Sequence, residues 1–337
     1  MNKEIKIATI LPYKENYTFS KAAAASLWVS EFYKYSKFRK SNYIFGSTDS
    51  KDYLSKNYIN INIDLKSKLS SSTIEYCNKF IKNSKKFDFD LIEIHNRPLV
   101  YTYLSKKIKS KYILYFHNDP LSMKGSKTIK ERQTLINSID KIIFVSKWVQ
   151  KRFFLQLDQK LITKTEVIYP SIHLEKKLYP KKNRIVFVGK LNPSKGYDIY
   201  RDAITKILDE FKSWEAFSIG DESRNKPIIS HTKHKELGFL NHRQVLDFLK
   251  FSEIAVVPSR WEEPFGRTAL ESSSRGCATI ISNRGGLPET TDYRVILEKL
   301  NYQELYKSIK ELILNPKIMI SYPLGMFFLL LLDKEVF

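Results

Sequence analysis

A glycine and two lysines follow an apolar run near the middle of the chain. Ile185–Val188 leads into Gly189, and Lys190 and Lys195 then stand five residues apart before a predicted helix. Glycine lets another group approach the backbone, and cations near a helix N-terminus can converge on an anion such as a diphosphate. The glycine spacing and Lys-Ser/Thr pair of a Walker A loop are absent. On this pattern alone, two solvated loop lysines remain the alternative interpretation.

A second group of candidate residues lies further along the chain. Glu263 falls in a predicted loop, and Glu271 stands eight residues later, about two turns into a predicted helix. Two carboxylates placed in this way can accept hydrogen bonds from sugar hydroxyls at two separate points. The amides of Phe265, Gly266 and Arg267 would be unpaired donors at the helix start. Spacing alone leaves open that the carboxylates lie on a solvated helix face.

Polar residues also follow two predicted strands in the first half of the chain. Leu91–Ile94 precedes His95 and Arg97, and Tyr112–Phe116 precedes His117. In open α/β sheets, ligands bind outside the carboxyl ends of the strands, so these side chains are candidates for a site. A lone histidine is more often a packing or capping residue, and that alternative stays open.

The elements that would position these residues form two alternating α/β series, which predicts parallel sheets wound by helices. The predicted strands of the first series are Lys6–Leu11, Tyr43–Phe45, Tyr58–Ile63, Leu91–Ile94, Tyr112–Phe116, Lys141–Val145 and Glu166–Ile168. Its predicted helices are Lys21–Tyr35, Thr73–Asn83, Leu99–Lys107, Ile129–Ser138 and Lys147–Leu155. The second series has predicted strands at Arg184–Val188, Ala216–Ile219, Leu237–Phe239, Ile254–Val257 and Ala278–Ile281. Its predicted helices are Tyr197–Phe211, Arg243–Phe251, Phe265–Arg275 and Tyr302–Leu314.

These series predict two Rossmann-like domains. The first covers residues 1–170, a linker rich in Lys and Pro covers 171–183, and the second domain covers 184–316. The tail at 317–337 is apolar without amphipathic period, so it is interpreted as a truncated end, with a peripheral membrane contact as the alternative.

Composition sets broad limits on the function. The chain has 337 residues, a formal net charge of +21 and only two cysteines, Cys77 and Cys277. The spread of basic residues is interpreted first as compositional drift and second as attraction to an anionic membrane. No nucleic-acid-binding motif accompanies the charge, so no nucleic-acid partner is predicted. Without a signal peptide, spanning segment or disulfide framework, a cytoplasmic protein is predicted, with peripheral contact at the inner face of the membrane as an option.

Three blocks taken together resemble the signature of glycosyltransferase family 4. They are Phe187–Lys190 with Lys195–Gly196, then Glu263–Glu271, and then Gly285–Glu289, and their order and spacing match over roughly residues 184–290. The resemblance implies the GT-B fold, in which two Rossmann-like domains face a central cleft. It also implies that the C-terminal domain holds a nucleotide-sugar donor and that the anomeric configuration is retained.

The resemblance implies that four of the matching residues bind the leaving group of the donor, the nucleoside diphosphate. Lys190 (usually Arg in the family) and Lys195 would neutralise the diphosphate beside Gly189, and Glu271 would hold the ribose hydroxyls. Retaining chemistry without a protein nucleophile mainly requires charge stabilisation on the departing diphosphate and correct placement of the acceptor. Lysines can supply that charge, and no Asp/His group has metal-ligand spacing, so no metal or other cofactor is predicted.

The remaining assignments concern the sugar and the acceptor. Glu263 would face the donor sugar with support from the amides of residues 265–267, and His117 would contact the sugar near the reacting carbon. With Lys195, these two side chains are the predicted catalytic residues. His95 and Arg97 are predicted to lie on the acceptor side.

The sequence departs from the family pattern after the first strand. Many members carry a glycine pair there, where the chain passes close to the donor phosphate, whereas residues 11–17 here contain no glycine. Ser20 and the run Ala22–Ala25 are predicted to supply the close approach instead. The N-terminal resemblance is therefore loose.

The sequence predicts an enzyme that transfers a sugar from a nucleoside diphosphate to a glycan or lipid-linked acceptor, in the synthesis of a cell-surface polysaccharide or lipopolysaccharide. An epimerase-like enzyme of the same fold and a non-catalytic carbohydrate-binding protein are the alternatives. A dinucleotide-dependent oxidoreductase is disfavoured because no G-x-G-x-x-G turn is present.

Overall fold

The computed structural model describes residues 4–63, 71–173, 177, 179–222, 227–292 and 294–315. The chain divides into two units after Ser171. Residues 182 and 183, which the sequence assigned to the linker, are the first two residues of a strand. The predicted tail at 317–337 lies outside the described residues.

Within its described residues, the first unit contains a parallel sheet of seven strands in the order β3-β2-β1-β4-β5-β6-β7. These strands are β1 (Ile7–Ile10), β2 (Asn42–Gly46), β3 (Tyr58–Asn60), β4 (Leu91–His95), β5 (Lys111–Phe116), β6 (Lys141–Phe144) and β7 (Thr165–Val167). The helices that connect them are α1 (Ala24–Tyr35), α2 (Ser72–Ser84), α3 (Pro98–Leu104), α4 (Ile129–Ser138) and α5 (Lys147–Phe153). Every residue of β1 is buried, as expected for a strand covered on both faces.

The second unit repeats this architecture, with six strands in the order β10-β9-β8-β11-β12-β13 among its described residues. Its strands are β8 (Lys182–Val188), β9 (Glu215–Ile219), β10 (His234–Glu236), β11 (Ser252–Val257), β12 (Ala278–Ser282) and β13 (Arg294–Leu297). Its helices are α6 (Tyr197–Glu210), α7 (His242–Leu249), α8 (Arg267–Ser274) and α9 (Tyr302–Leu314). All pairings between these strands are parallel.

Helix α6 illustrates how the apolar pattern builds the core of the second unit. Its buried residues recur at helical spacing and meet those of α9, so the two helices cover the same face of the sheet. Ile204 and Ile207 are fully buried within this core. Full burial of each such side chain stabilises the packing of the helix on the sheet by about 1.5–3 kcal/mol.

The sequence prediction is wrong at the two edges of the second sheet. Residues 237–239 were predicted as a strand, but the strand is His234–Glu236, whose polar residues lie at a half-exposed edge. The apolar residues on which the prediction rested come directly after this strand. The amide of Leu237 nevertheless donates to the Ser218 carbonyl of the neighbouring strand at 2.9 Å. Strand β13 was missed because a four-residue edge strand with an exposed Ile296 gives only a weak apolar signal.

Candidate functional site

The loops that carry the candidate residues of the second unit follow its central strands. The series β8-β9-β10 extends the sheet in one direction and β11-β12-β13 extends it in the other, so the order reverses between β8 and β11. Ligands of open α/β sheets bind beyond the carboxyl ends of the strands at such a reversal. The loop with Lys190 and Lys195 follows β8, and the loop with Glu263 follows β11.

These two loops pack directly against each other. Gly196 has a φ of 74°, and a Cβ on it would lie 1.9 Å from the carbonyl oxygen of Pro258. The amides of Arg260 and Trp261 donate to the carbonyl of Ser194 at 3.0 and 3.1 Å. Only glycine permits so close an approach of the two loops. Gly196 is therefore required for packing, whereas Lys195 beside it supplies a positive charge.

The third block of the signature secures the loop that carries Glu263. The amide of Gly286 donates to the Glu263 carbonyl at 2.6 Å, and the amide of Gly285 donates to Glu262 Oε2 at 2.6 Å. Arg284 also pairs with Glu262 at 3.1 Å. A Cβ on Gly285 would lie 2.2 Å from the Glu263 carbonyl oxygen. The three blocks are therefore neighbours in space.

Lys195 and Glu263 form an ion pair within this group of loops. Lys195 Nζ lies 2.5 Å from Glu263 Oε1, and Ser259 Oγ donates to the same carboxylate oxygen at 3.0 Å. The two charged side chains are 30% and 14% exposed, so both can reach a ligand. Lys190 is exposed and enters none of the ion pairs of the described residues. The structure thus brings Lys195, but not Lys190, to the glutamate.

Glu271 lies in a second, buried ion-pair group on α8. Its Oε1 accepts from His242 Nε2 at 3.0 Å and from Arg267 Nε at 3.2 Å, and its side chain is 8% exposed. Burial raises the pKa of Glu271, but the hydrogen bond from His242 and the charge of Arg267 outweigh burial and hold the pKa below its ordinary value. Glu271 is therefore an ionised carboxylate at neutral pH.

The start of α8 differs from the sequence prediction. The helix begins at Arg267, and Gly266 is its N-cap with a φ of 103°, where a Cβ would lie 2.3 Å from Leu287 Cδ2. Phe265 precedes the helix and is buried. The amides at Phe265 and Gly266 are thus not first-turn donors, because the helix start lies two residues later than the Pro264 signal suggested.

In the first unit, the strand order reverses between β1 and β4, and two histidines follow neighbouring strands. His95, the last residue of β4, places Nδ1 2.7 Å from Nε2 of His117, the first residue after β5. His95 is fully buried, which leaves its side chain no exposed surface for an acceptor, whereas His117 is half-buried. Burial, and secondarily His117, lowers the pKa of His95 well below 6.5.

Asn96 fixes the backbone around this histidine pair. It adopts a φ of 55°, which asparagine tolerates better than most residues, and its Oδ1 accepts from the amides of His117 and Asn118 at 2.8 and 3.1 Å. Arg97, half-buried beside it, donates to the Asn96 carbonyl at 2.8 Å. Asn96 therefore joins the ends of β4 and β5.

The loop after β1 does not place Ser20 with the histidine pair. Ser20 is exposed, and its amide donates to Asp52 Oδ2 at 2.8 Å. The first-turn amides of α1 at Ala25 and Ser26 donate instead to Glu15 Oε1, at 3.1 and 3.3 Å. Burial raises the pKa of Glu15 against these hydrogen bonds. The carboxylate of Glu15, a side chain of this loop, thus occupies the start of α1. The glycine pair of the family pattern would leave that helix start open.

Three residues of these groups were missed in the sequence. Asn96, at a strand end between two candidate residues, offered a positional signal. Ser259 and His242 offered none, because a serine in a loop and a histidine at the start of α7 fit many roles. Their importance comes from contacts with Glu263 and Glu271 that only the fold creates.

Comparisons with known proteins identify the chain as a glycosyltransferase. The sequence profile described as "Glycosyl transferases group 1" matches residues 170–321. An uncharacterised glycosyltransferase of Methanocaldococcus jannaschii is 32% identical over 260 residues, which cover 71% of this chain and 72% of that protein.

Solved structures share the fold at low sequence identity. Sucrose-phosphate synthase from Thermosynechococcus elongatus superposes with a TM-score of 0.73 and 14% identity, covering 94% of this chain and 92% of that one. Anabaena HepE in complex with UDP-glucose superposes with a TM-score of 0.71 and 16% identity, with the same coverage.

Two parallel α/β units, each with its candidate residues at a reversal of strand order, define a protein of the GT-B fold. The chain belongs to the group 1 glycosyltransferase family.

Proposed function

We propose that the chain is a retaining glycosyltransferase that takes a sugar from a nucleoside-diphosphate donor, as members of family 4 do. The observation that supports this most is the convergence of the loops after β8, β11 and β12 around Lys195 and Glu263. A partly exposed cation beside a carboxylate offers one group for a diphosphate and one for sugar hydroxyls. The bound UDP-glucose of the similar HepE structure agrees with a donor of this class.

Each charged group then has a part in the transfer. Lys195 stabilises the negative charge that develops on the diphosphate as the bond to the sugar breaks, and exposed Lys190 adds to that field. Glu263 accepts hydrogen bonds from the sugar. Glu271, held by His242 and Arg267, offers its other oxygen to the ribose hydroxyls. The role of His117 at the sugar is carried by the resemblance and remains part of the proposal.

The acceptor is proposed to be a glycan or a lipid-linked sugar of the cell surface, and the net charge of +21 favours work beside an anionic membrane. Among the described residues, no helix is both long and apolar enough to cross a bilayer. Binding to vesicles with about one third anionic lipid should weaken steeply between low and physiological salt. Equal binding to neutral vesicles would exclude this membrane contact.

The experiment that tests the reaction follows slow donor hydrolysis by proton NMR, because it needs no known acceptor. An α-linked UDP-, GDP- or ADP-sugar should release free sugar whose first-formed anomer is α, together with the nucleoside diphosphate. A β anomer formed first would contradict retention. An epimeric nucleotide sugar without released diphosphate would favour the epimerase-like alternative, and no consumption of any donor, even with acceptors added, would favour a binding protein. The same rate with and without EDTA is expected if no metal takes part.

A further inference from the structure

The carboxylate of Glu271 is held through only one of its two oxygens. Its Oε1 accepts from His242 Nε2 at 3.0 Å and from Arg267 Nε at 3.2 Å. Its Oε2 has no hydrogen-bond partner among the described residues. A carboxylate oxygen has two acceptor positions, and Oε1 already uses both. A ligand group that binds Glu271 is therefore held through Oε2.

The two donors to Oε1 come from two different helices. His242 is the first residue of α7, and a capping box between Asn241 and Gln244 fixes that helix start. Arg267 is the first residue of α8 and stands four residues before Glu271, on the same face of the helix. All three side chains around Oε1 are less than one fifth exposed. The carboxylate is thus held by its own helix and, independently, by α7.

The guanidinium of Arg267 contributes less to this group than its geometry allows. Its terminal nitrogens, Nη1 and Nη2, are buried and have no hydrogen-bond partner in the part of the chain that the structure describes. The preferred arrangement of an arginine with a carboxylate is a fork, in which two N–H groups donate to the two oxygens. That fork would give one unpaired nitrogen of Arg267 a partner, but it would also occupy Oε2 of Glu271.

We propose that His242 is a positioning residue for the nucleotide. By donating to Oε1 from α7, it keeps the carboxylate of Glu271 from turning into the fork with Arg267, and Oε2 stays free to accept from the hydroxyls of a ribose. This inference rests on the proposed function, in which Glu271 binds the ribose of a nucleoside diphosphate. It assigns to His242 the recognition of the ribose, without contact between His242 and the ligand.

Loss of His242 should lower the affinity for the ribose and spare the affinity for the rest of the nucleotide. In His242→Leu, Arg267 closes on both oxygens of Glu271, and the ribose hydroxyls lose their acceptor. A 2′,3′-dideoxy nucleotide lacks both hydroxyls, so its binding should not change. His242→Gln is the conservative variant, because its side-chain amide can donate from nearly the position of the imidazole Nε2.

Isothermal titration calorimetry on the full chain tests this expectation. UDP, GDP and ADP are titrated first, and the one that binds most tightly is compared with its 2′,3′-dideoxy form. The wild-type chain should prefer the ribonucleotide by at least about tenfold, since hydrogen bonds to a charged oxygen are lost with the hydroxyls. This ratio should fall by at least about threefold in His242→Leu and stay near the wild-type value in His242→Gln. A general loss of stability lowers both affinities and leaves their ratio unchanged.

A double variant tests the fork itself. Lysine keeps the positive charge of Arg267 but cannot donate to two carboxylate oxygens in a planar fork. Arg267→Lys, added to His242→Leu, should therefore restore the preference for the ribonucleotide. A wild-type ratio retained in His242→Leu would overturn the positioning role. A ratio that stays low in the double variant would show that Arg267 does not compete for Oε2, which also overturns the proposal.

Failure of the proposed function gives a different result from failure of this inference. If none of the three nucleotides binds the wild-type chain, the proposed function is contradicted and the inference with it. If a nucleotide and its dideoxy form bind the wild-type chain equally, the inference and the ribose role of Glu271 are both wrong, and donor hydrolysis still decides whether the chain transfers a sugar.

Discussion

Removal of the Glu271 carboxylate should destabilise the second unit far more than removal of an exposed glutamate. Glu271 and Arg267 are 8% and 10% exposed, and the terminal nitrogens of Arg267 have no other partner among the described residues. In Glu271→Ala the guanidinium is left buried without a counter-charge, which costs about 3–5 kcal/mol. Glu215→Ala is the matched control, because this carboxylate is 40% exposed, and its pairs with Lys235 at 3.0 Å and with Arg184 at only 4.0 Å are each expected to contribute about 1 kcal/mol or less.

Urea unfolding followed by tryptophan fluorescence measures this difference in the free energy of unfolding. The difference is read from the urea midpoint for the second unit, with the slope of free energy against urea unchanged. The double variant Arg267→Met/Glu271→Leu should recover most of the lost stability, because apolar side chains replace both members of the buried pair. A loss within about 0.5 kcal/mol for Glu271→Ala, or strictly additive losses in the double variant, would refute the buried-pair reasoning. Nucleotide affinity is therefore better tested with Glu271→Gln, which keeps the size of the side chain.

Three further predictions follow from charge and burial. Lys195→Ala should lower turnover at least tenfold, about 1.4 kcal/mol of barrier, whereas exposed Lys212→Ala should not, as donor hydrolysis measures. Burial lowers the pKa of His95 in the folded protein. As the pH falls below about 6.5, His95 is therefore protonated in the unfolded chain before it is protonated in the folded protein, and the free energy of unfolding decreases. Urea unfolding at about pH 7.5 and 5 should show a smaller decrease in His95→Asn, and an equal decrease would contradict the burial argument. Burial raises the pKa of Cys77 to about 12 and also raises that of Cys277, so both thiols should resist a thiol reagent until the protein unfolds, and fast labelling of the native chain would be inconsistent with this.

The sequence predicted the two Rossmann-like series because apolar runs of three to six residues alternate with amphipathic stretches, and this alternation is a local property. Helix α9 was predicted with its observed bounds, Tyr302–Leu314, because the sequence Asn315-Pro316 predicts a helix end. In the structure, Asn301 is the N-cap of this helix and Asn315 its C-cap. The edge strands β10 and β13 could not be predicted as well. Half-exposed strands need fewer apolar residues, and their pairing is decided by neighbouring strands rather than by their own sequence.

Many residues of the candidate site could be predicted from the sequence, but the contacts between them could not. Glycines and lysines that follow predicted strands can be found in the sequence, and their order indicated which loops matter. The pairing of Lys195 with Glu263, and the buried position of His95 behind His117, depend on distances between loops that local patterns do not encode. His95 was predicted to lie on the acceptor side because a strand-end histidine has the same sequence signal whether it faces a ligand or supports a neighbour.

The most direct test of the central claim is binding of nucleotide sugars to the loops after β8, β11 and β12. In thermal unfolding with UDP-, GDP- and ADP-sugars, at least one donor should stabilise the wild-type chain, by about 2.7 kcal/mol at a hundredfold excess over Kd. Lys195→Ala and Glu271→Gln should each reduce that stabilisation. No stabilisation by any donor, or a full response in both variants, would contradict the assignment of this site.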